Sequence, residues 1–181
     1  MPLEFGVRHR PARNVEMTRI YLRSSATARS AGRTDGLEKR LLLAAEAGDA
    51  SSQCNLGILF ANGLDDNGYA IDGNRPHAVR WLLAAAEQGL PRAQLKLAEV
   101  YAEAADTSRS HAAACGWFLL AALGLQGAHL HQARSGYERV ASHLTPGQIA
   151  KAKRFVRNWT PKLPTKAADL SPEQADRGGV P

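Results

Sequence analysis

Three groups of residues in this 181-residue chain have types and spacings that could do chemistry. His129 and His131 could share a metal ion, the acidic stretch at 64–73 could hold calcium, and a cluster of cations near the C-terminus could meet a polyanion. Residues two apart do not share a helical face, which argues against the histidine pair. An EF-hand loop needs acids at its first, third and fifth positions and Gly at its sixth, and neither Gly68 nor Gly73 completes that pattern. We therefore predict no metal site.

Sequence motifs for catalysis or cofactor binding are absent. The sequence contains no phosphate-binding G-x-x-x-x-G-K-[ST], no dinucleotide-binding G-x-G-x-x-G, no zinc-protease H-E-x-x-H and no serine-hydrolase G-x-S-x-G. We interpret Gly57, Gly63 and Gly68 as helix-end or loop glycines. We therefore predict a protein without enzymatic activity, without catalytic residues and without a cofactor.

Charge is distributed unevenly along the chain, whose formal net charge is +6. Residues 1–36 contain seven Arg against three acids, residues 37–133 are mildly acidic, and residues 134–160 contain six cations against Glu138 alone. Basic flanks attract nucleic acid, anionic lipid or an acidic protein surface, or simply keep a chain dissolved. The sequence has no run of 18 apolar residues, so it predicts no transmembrane helix. The N-terminus lacks the apolar core of a secretory signal. We therefore expect a cytoplasmic protein.

The central region repeats itself at a fixed spacing. The segment AAEAGDASSQCNLGILF at 44–60 matches AAEQGLPRAQLKLAEVY at 85–101, with an offset of 41 residues throughout. A third and weaker copy begins at Ser110, where the tripeptide at 117–119 matches that at 81–83 in type. Apolar residues recur at three- and four-residue spacing, which is typical of amphipathic helices. Each copy therefore predicts a pair of helices.

Turn and cap residues predict where these helices begin and end. Gly48 and Gly89 stand where the first helix of a pair must stop, because Gly adopts the left-handed conformation without strain. Asp35 and Ser110 are expected as N-caps, and Thr145-Pro-Gly-Gln148 reads as a capping box with Pro in the first turn. The predicted helices are 37–47, 50–61, 75–88, 91–104, 111–123, 128–144 and a last one from 146 to about 159.

Two stretches of the second copy carry a family resemblance. They are Trp81-x-x-x-Ala85-Ala86-Glu87-Gln88-Gly89 and Ala93-Gln94-x-x-Leu97-Ala98-x-x-Tyr101. The pattern resembles the Sel-like repeat, a relative of the tetratricopeptide repeat. The first copy keeps it as Ser52-Gln53-x-x-Leu56-Gly57-x-x-Phe60, and residues 115–149 resemble the closing repeat and cap of bacterial members. Arg40 departs from the pattern, since it stands where Trp81 and Trp117 stand in the other copies.

The resemblance covers about residues 36–159 and implies a fold and a function. The implied fold is all-α, an α/α superhelix (solenoid) of about three helix-turn-helix Sel-like repeats closed by a C-terminal capping helix. The implied function is that of an adaptor or scaffold for protein partners, with no catalytic residues to carry over. Cysteine-rich members staple their helix pairs with two Cys per repeat. Cys54 and Cys115 lack that spacing, which favours a reducing compartment.

Composition divides the chain into three regions. Residues 1–34 form a basic arm that we expect to be mostly disordered, and residues 35–159 form the repeat domain. Residues 160–181 contain Pro and a Gly pair but few large apolar side chains, so we expect a disordered tail. Translation could start at Met1 or at Met17.

Candidate partner-binding residues lie on two surfaces. On the repeat helices, Asn55 and Lys96 occupy the same repeat position and are polar between apolar neighbours, and Arg80, Arg92 and Glu99 are similarly placed. On the last helix the candidates are Lys151, Lys153, Arg154 and Arg157. Basic residues also suit the C-terminal end of a helix through its macrodipole.

Two functions follow from these surfaces. The first is a non-enzymatic adaptor that binds a protein or peptide on a helical-repeat surface. The alternative is a binder of nucleic acid or anionic surfaces that uses the basic last helix, with nucleic acid the less favoured partner. Self-association is a further expectation, because three repeats are near the minimum for a stable solenoid.

Overall fold

The computed structural model describes residues 34–62, 75–103 and 108–164, and within these ranges every regular element is an α-helix. The helices are α1 (Thr34–Glu46), α2 (Ala50–Asn62), α3 (Arg75–Glu87), α4 (Pro91–Glu103), α5 (Ser108–Gly124), α6 (Gly127–Ala141) and α7 (Pro146–Asn158). The all-α prediction is therefore confirmed for this part of the chain. The predictions for the arm at 1–33, the acidic stretch at 64–73 and the tail from residue 165 lie outside the described residues.

The predicted boundaries of α2, α3 and α4 agree with the structure to within one residue at each end. Two N-cap predictions are wrong: α1 already includes Asp35, and α5 begins at Ser108, so Ser110 lies inside the helix. Capping preferences are only about 1 kcal/mol, which does not select one residue from a polar run. Helix α6 ends earlier than predicted, because His143 and Leu144 form tight turns onto Val140 and Ala141.

The packing of the helices follows their order in the sequence. Each helix from α1 to α5 packs against the next, the second helices of successive pairs touch (α2 with α4, α4 with α6), and α7 packs against α5. Trp81 and Trp117 are buried, each in one of two core clusters. Cys54 and Cys115 are buried free thiols among apolar neighbours.

The turns of the first two pairs have the same hydrogen bonds at the 41-residue offset. Gly48 and Gly89 have φ of 102° and 90°, which confirms the predicted left-handed turns. Gly48 N–H donates to the carbonyl of Ala45 and Asp49 N–H to that of Ala44; Gly89 and Leu90 repeat these bonds onto Ala86 and Ala85. This is the Schellman arrangement, which pairs carbonyls that the helix end leaves free.

A buried glutamine reinforces each of these turns. Gln53 donates from Nε2 to the carbonyl of Ala45 at 3.1 Å, and Gln94 donates to that of Ala86 at 3.2 Å. Gln88 then connects the two copies, since its Nε2 lies 2.8 Å from Gln53 Oε1. The glutamine of the repeat pattern therefore binds the second helix of a pair to the end of the first.

The start of α7 has the predicted capping box. Thr145 Oγ1 accepts from the backbone N–H of Gln148 at 3.3 Å, and Gln148 Oε1 accepts from the backbone N–H of Thr145 at 2.9 Å. Pro146 occupies the first turn, where a missing N–H costs nothing. These local bonds fix where the basic helix begins.

Gly57 lies inside α2, so its interpretation as a helix-end or loop glycine is wrong. A Cβ at this position would lie 2.5 Å from Leu82 Cγ and 2.9 Å from the backbone nitrogen of Leu82. The absence of a side chain therefore lets α2 and α3 cross at close range.

Replacing Gly57 by Ala should lower the free energy of unfolding by about 1–3 kcal/mol, the usual range for overpacking. The better helix propensity of Ala offsets part of this loss. Urea unfolding followed by circular dichroism measures the change. Gly147→Ala is the matched control, because a Cβ there would lie 4.0 Å from Thr145 Oγ1, and it should be neutral or stabilising. Equal effects of the two variants would contradict the close crossing.

Asp49 caps α2 and makes the stability of this helix dependent on pH. Its Oδ2 accepts from the backbone N–H of Ser52 at 2.7 Å. Hydrogen bonds from the Ser52 side chain and then its backbone lower the pKa of Asp49. A lowered pKa in the folded state means that the cap stabilises the protein above the unfolded pKa of about 3.9. That contribution is lost as the pH falls through the folded pKa.

Asp49→Ala should therefore cost about 1 kcal/mol at pH 7 and less at pH 2. Asp49→Asn retains a capping oxygen, so its free energy of unfolding should stay close to that of the parent protein at pH 7. This free energy should change less with pH than in the parent, because Asn has no carboxyl group to titrate. Unfolding midpoints in urea, measured across this pH range, give both quantities. A penalty for Asp49→Ala that does not change with pH would show that the carboxylate charge plays no part.

Candidate functional site

An open cleft of about 390 Å³ lies where α7 meets the ends of earlier helices, and we call it the α7 cleft. It is lined by residues of α3, α5, α7 and the chain that follows α7. The lining residues are Glu87, Trp117, Lys151, Arg154, Phe155, Asn158, Trp159, Thr160 and Lys162.

Helical spacing places the α7 residues on one face. Arg154 and Phe155 lie three and four residues after Lys151, and Asn158 lies four and three residues after them, so all four share a side of the helix. Phe155 meets the Trp117 ring edge to face, with the ring centroids 5.3 Å apart. A Cβ at Gly116 would lie 3.0 Å from Phe155 Cδ1, so the bare backbone of α5 allows α7 to approach. The aromatic wall of the cleft thus depends on this contact.

The charges of the cleft are mainly positive. Lys151 and Arg154 are exposed on its rim, and no acid of the described residues is paired with either of them. The third cation, Lys162, is paired with Glu87, since Lys162 Nζ lies 2.6 Å from Glu87 Oε1. Two cations beside aromatic side chains can bind a carboxylate-bearing surface through charge and apolar contact together.

The structure divides the four predicted cations of the last helix into two faces. Lys151 and Arg154 line the cleft, whereas Lys153 and Arg157 are exposed outside it. Lys153 and Arg157 are four residues apart and share their own face. Arg157 is also three residues after Arg154 and adjoins it on the helix surface. The basic helix therefore presents one pair of cations in the cleft and a second pair beside it.

The predicted residues on the repeat helices are not brought together into one site. Asn55 and Arg92 are exposed on α2 and α4. Lys96 pairs with Glu99 at 2.7 Å, and the Gln132 amide also donates to Glu99. Lys96 and Glu99 thus have partners within the chain.

Arg80 requires a correction, because it is buried with 7% of its surface exposed. Its guanidinium lies 5.6 Å from the centre of the Trp81 ring, and burial lowers the pKa of Arg80. Alternating polar and apolar residues suggested a surface position, but α3 is enclosed by its neighbours. Arg80 therefore packs in the interior and is not available as a surface contact.

No metal site is found in the described part of the chain. No three His, Cys, Asp or Glu side chains of residues 34–62, 75–103 and 108–164 are grouped to hold an ion. His129 and His131 are exposed on α6. His111 and His143, which the sequence did not bring together, stack with ring centroids 5.2 Å apart. No helix within these ranges is long and apolar enough to cross a membrane.

The segment after α7 is the part of the cleft that sequence reasoning missed. Residues 160–164 were assigned to the tail, yet Thr160 and Lys162 line the cleft and Lys162 bonds to Glu87. These residues have neither helical periodicity nor a recognisable motif. Their partner lies 75 residues earlier in the chain, so no local pattern could have indicated it.

No family model, curated protein or solved structure matches this chain.

The two thiols should be unreactive in the folded protein. Burial raises the pKa of Cys115 to about 11 and also raises that of Cys54, so the reactive thiolate is scarce at pH 8. We expect Ellman's reagent to modify both only after unfolding in urea. Rapid modification of the native protein would show that α2 or α5 opens readily.

Proposed function

We propose that this protein is a non-enzymatic adaptor of the Sel-like repeat type, which binds a protein or peptide partner in the α7 cleft. The observation that carries the proposal is the cleft itself. Aromatic side chains of α5, α7 and the following segment lie beside two exposed cations, Lys151 and Arg154, on an open surface. Aromatic residues and Arg are enriched at the energetic centres of protein interfaces.

Repeated contacts support the proposed superhelix. The pairs α1–α2 and α3–α4 share the same turn bonds and the same glutamine bond at an offset of 41 residues. Helix pairs that contact their sequence neighbours give the stacked arrangement of repeat proteins. In this arrangement α7 closes the stack by covering the apolar side of α5, as a capping helix does.

The proposed partner presents acidic side chains to the cleft. A carboxylate can pair with Lys151 or Arg154, while an apolar side chain next to it can cover Phe155 or Trp159. Charge complementarity of this kind speeds association and selects among partners. The proposed location is the cytoplasm, where the buried free thiols of Cys54 and Cys115 stay reduced.

The alternative function, binding of nucleic acid or an anionic surface by the basic helix, uses the same cations differently. All four are exposed on α7. The affinity for a polyanion depends on the total charge of the four cations. The affinity for a partner in the cleft depends on the cations that line the cleft. The two faces therefore allow the two functions to be separated.

A charge-reversal experiment makes this comparison with matched variants. Lys151→Glu/Arg154→Glu changes the cleft face, and Lys153→Glu/Arg157→Glu changes the other face by the same charge. The partner is first identified with a photo-reactive residue at Asn158, inside the cleft, and at Arg157 as the outside control. We expect the cleft pair to weaken partner binding at least ten-fold, and the control pair less than two-fold, in calorimetry at physiological salt.

The alternative function predicts a different result in the same experiment. Nucleic acid or anionic lipid would lose affinity in both variants, with a log–log salt slope near −0.9 per neutralised phosphate for duplex DNA. Equal weakening by the two pairs would therefore contradict binding in the cleft and favour the polyanion function.

A further inference from the structure

A short segment of the chain already binds at the edge of the α7 cleft in the manner of a peptide ligand. We call residues 159–164 the return segment, because the chain leaves α7 at Trp159 in an extended conformation and passes back to the end of α3. The backbone N–H of Lys162 donates to the carbonyl of Glu87 at 2.7 Å. The ammonium of the same lysine lies 2.6 Å from the Glu87 carboxylate.

The end of α3 is suited to receive such a segment. The last carbonyls of a helix have no partner within it, and that of Glu87 accepts the N–H of Lys162. The left-handed Gly89 next to it has no side chain, so Trp159 and Pro161 can pack there. Trp159 Cη2 and Pro161 Cβ would lie 3.4 and 3.6 Å from a Cβ at Gly89.

These contacts are those by which proteins bind extended peptides. The main-chain bond holds the backbone of the segment, and the charged side chain gives specificity. Pro161 packs where Gly89 has no side chain. The segment also lies at the surface: 60% of the Lys162 side chain and 86% of Leu163 are exposed. The Glu87 side chain of this ion pair is only 17% exposed, so the lysine reaches a largely covered carboxylate from the surface.

We propose that Glu87 and Gly89 form a docking site for an extended segment of a partner protein with the sequence Pro-Lys, and that the return segment fills this site in cis. The proposal rests on the proposed function, since it adds a second point of recognition to the same cleft. A tethered segment acts at an effective concentration in the millimolar range. A partner therefore displaces it only when further contacts, such as acids on Lys151 and Arg154, add to its affinity.

Charge exchange in the full-length protein tests the docking site. Lys162→Glu places a like charge beside Glu87 and should release the return segment. Glu87→Lys/Lys162→Glu restores the pair in the opposite sense and should close the site again. The probes are the peptides Thr-Pro-Lys-Leu-Pro and Thr-Pro-Glu-Leu-Pro, and binding is followed through the indole N–H signals of Trp117 and Trp159 in NMR spectra.

The expected results depend on charge in a defined way. The lysine peptide should shift the Trp159 signal of Lys162→Glu at a midpoint at least ten-fold lower than in the parent protein, and the glutamate peptide should not. Glu87→Lys alone should reverse this preference. The doubly exchanged protein should resist both peptides as the parent does. Lys162→Gln removes the charge without adding repulsion, so its midpoint for the lysine peptide should lie between those of the parent protein and Lys162→Glu. This variant replaces Lys162→Glu in the test if Lys162→Glu fails to fold.

Three outcomes would overturn the proposal. The first is that Lys162→Glu binds both peptides equally well. The second is that the parent protein binds the lysine peptide as tightly as Lys162→Glu does. The third is a concentration-dependent dimer in which two copies exchange their return segments. Failure of the proposed function is seen separately in the matched α7 pairs. Peptide binding with no difference between those pairs would retain the docking site and reject the adaptor cleft.

Discussion

A buried glutamine amide holds each of the first two helix pairs together, and the stacking of these two pairs depends on the register that it sets. Gln53 and Gln94 donate to the carbonyls of Ala45 and Ala86, inside a core that offers these amides no water. A buried polar group without a partner costs about 1–3 kcal/mol, so a pair that shifts its register loses this bond. Gln88 extends the restraint from one pair to the next through Gln53.

The third pair lacks this restraint. Gln132 follows Gly127 at the same distance as Gln94 follows Gly89, yet it is exposed and donates to Glu99 on α4. Gly127 opens α6 with a positive φ and does not end α5. Helix α5 is four residues longer than α3, and α7 packs on it at Gly116. The cleft forms where the regular repeat ends.

The sequence is informative wherever a contact is local or repeated. Apolar spacing, the glycine turns and the Thr145 capping box predicted the helices, because each depends on residues within a few positions. The close crossing at Gly57 and the burial of Arg80 depend on a neighbouring helix, which local spacing does not specify. The sequence identified the cations of α7. Which of them line the cleft is decided by the packing of α7 on α5, which the sequence does not specify.

The basic C-terminal region also has a structural role that its net charge conceals. Lys162 uses its charge within the chain, on Glu87 of the mildly acidic centre, and so draws the return segment toward the repeats. Lys151 and Arg154 remain on the rim because no described acid reaches them. A region selected only for solubility would not need its cations at fixed helical intervals beside three aromatic side chains. The proposed recognition of a protein surface therefore rests on the arrangement of these charges more than on their number.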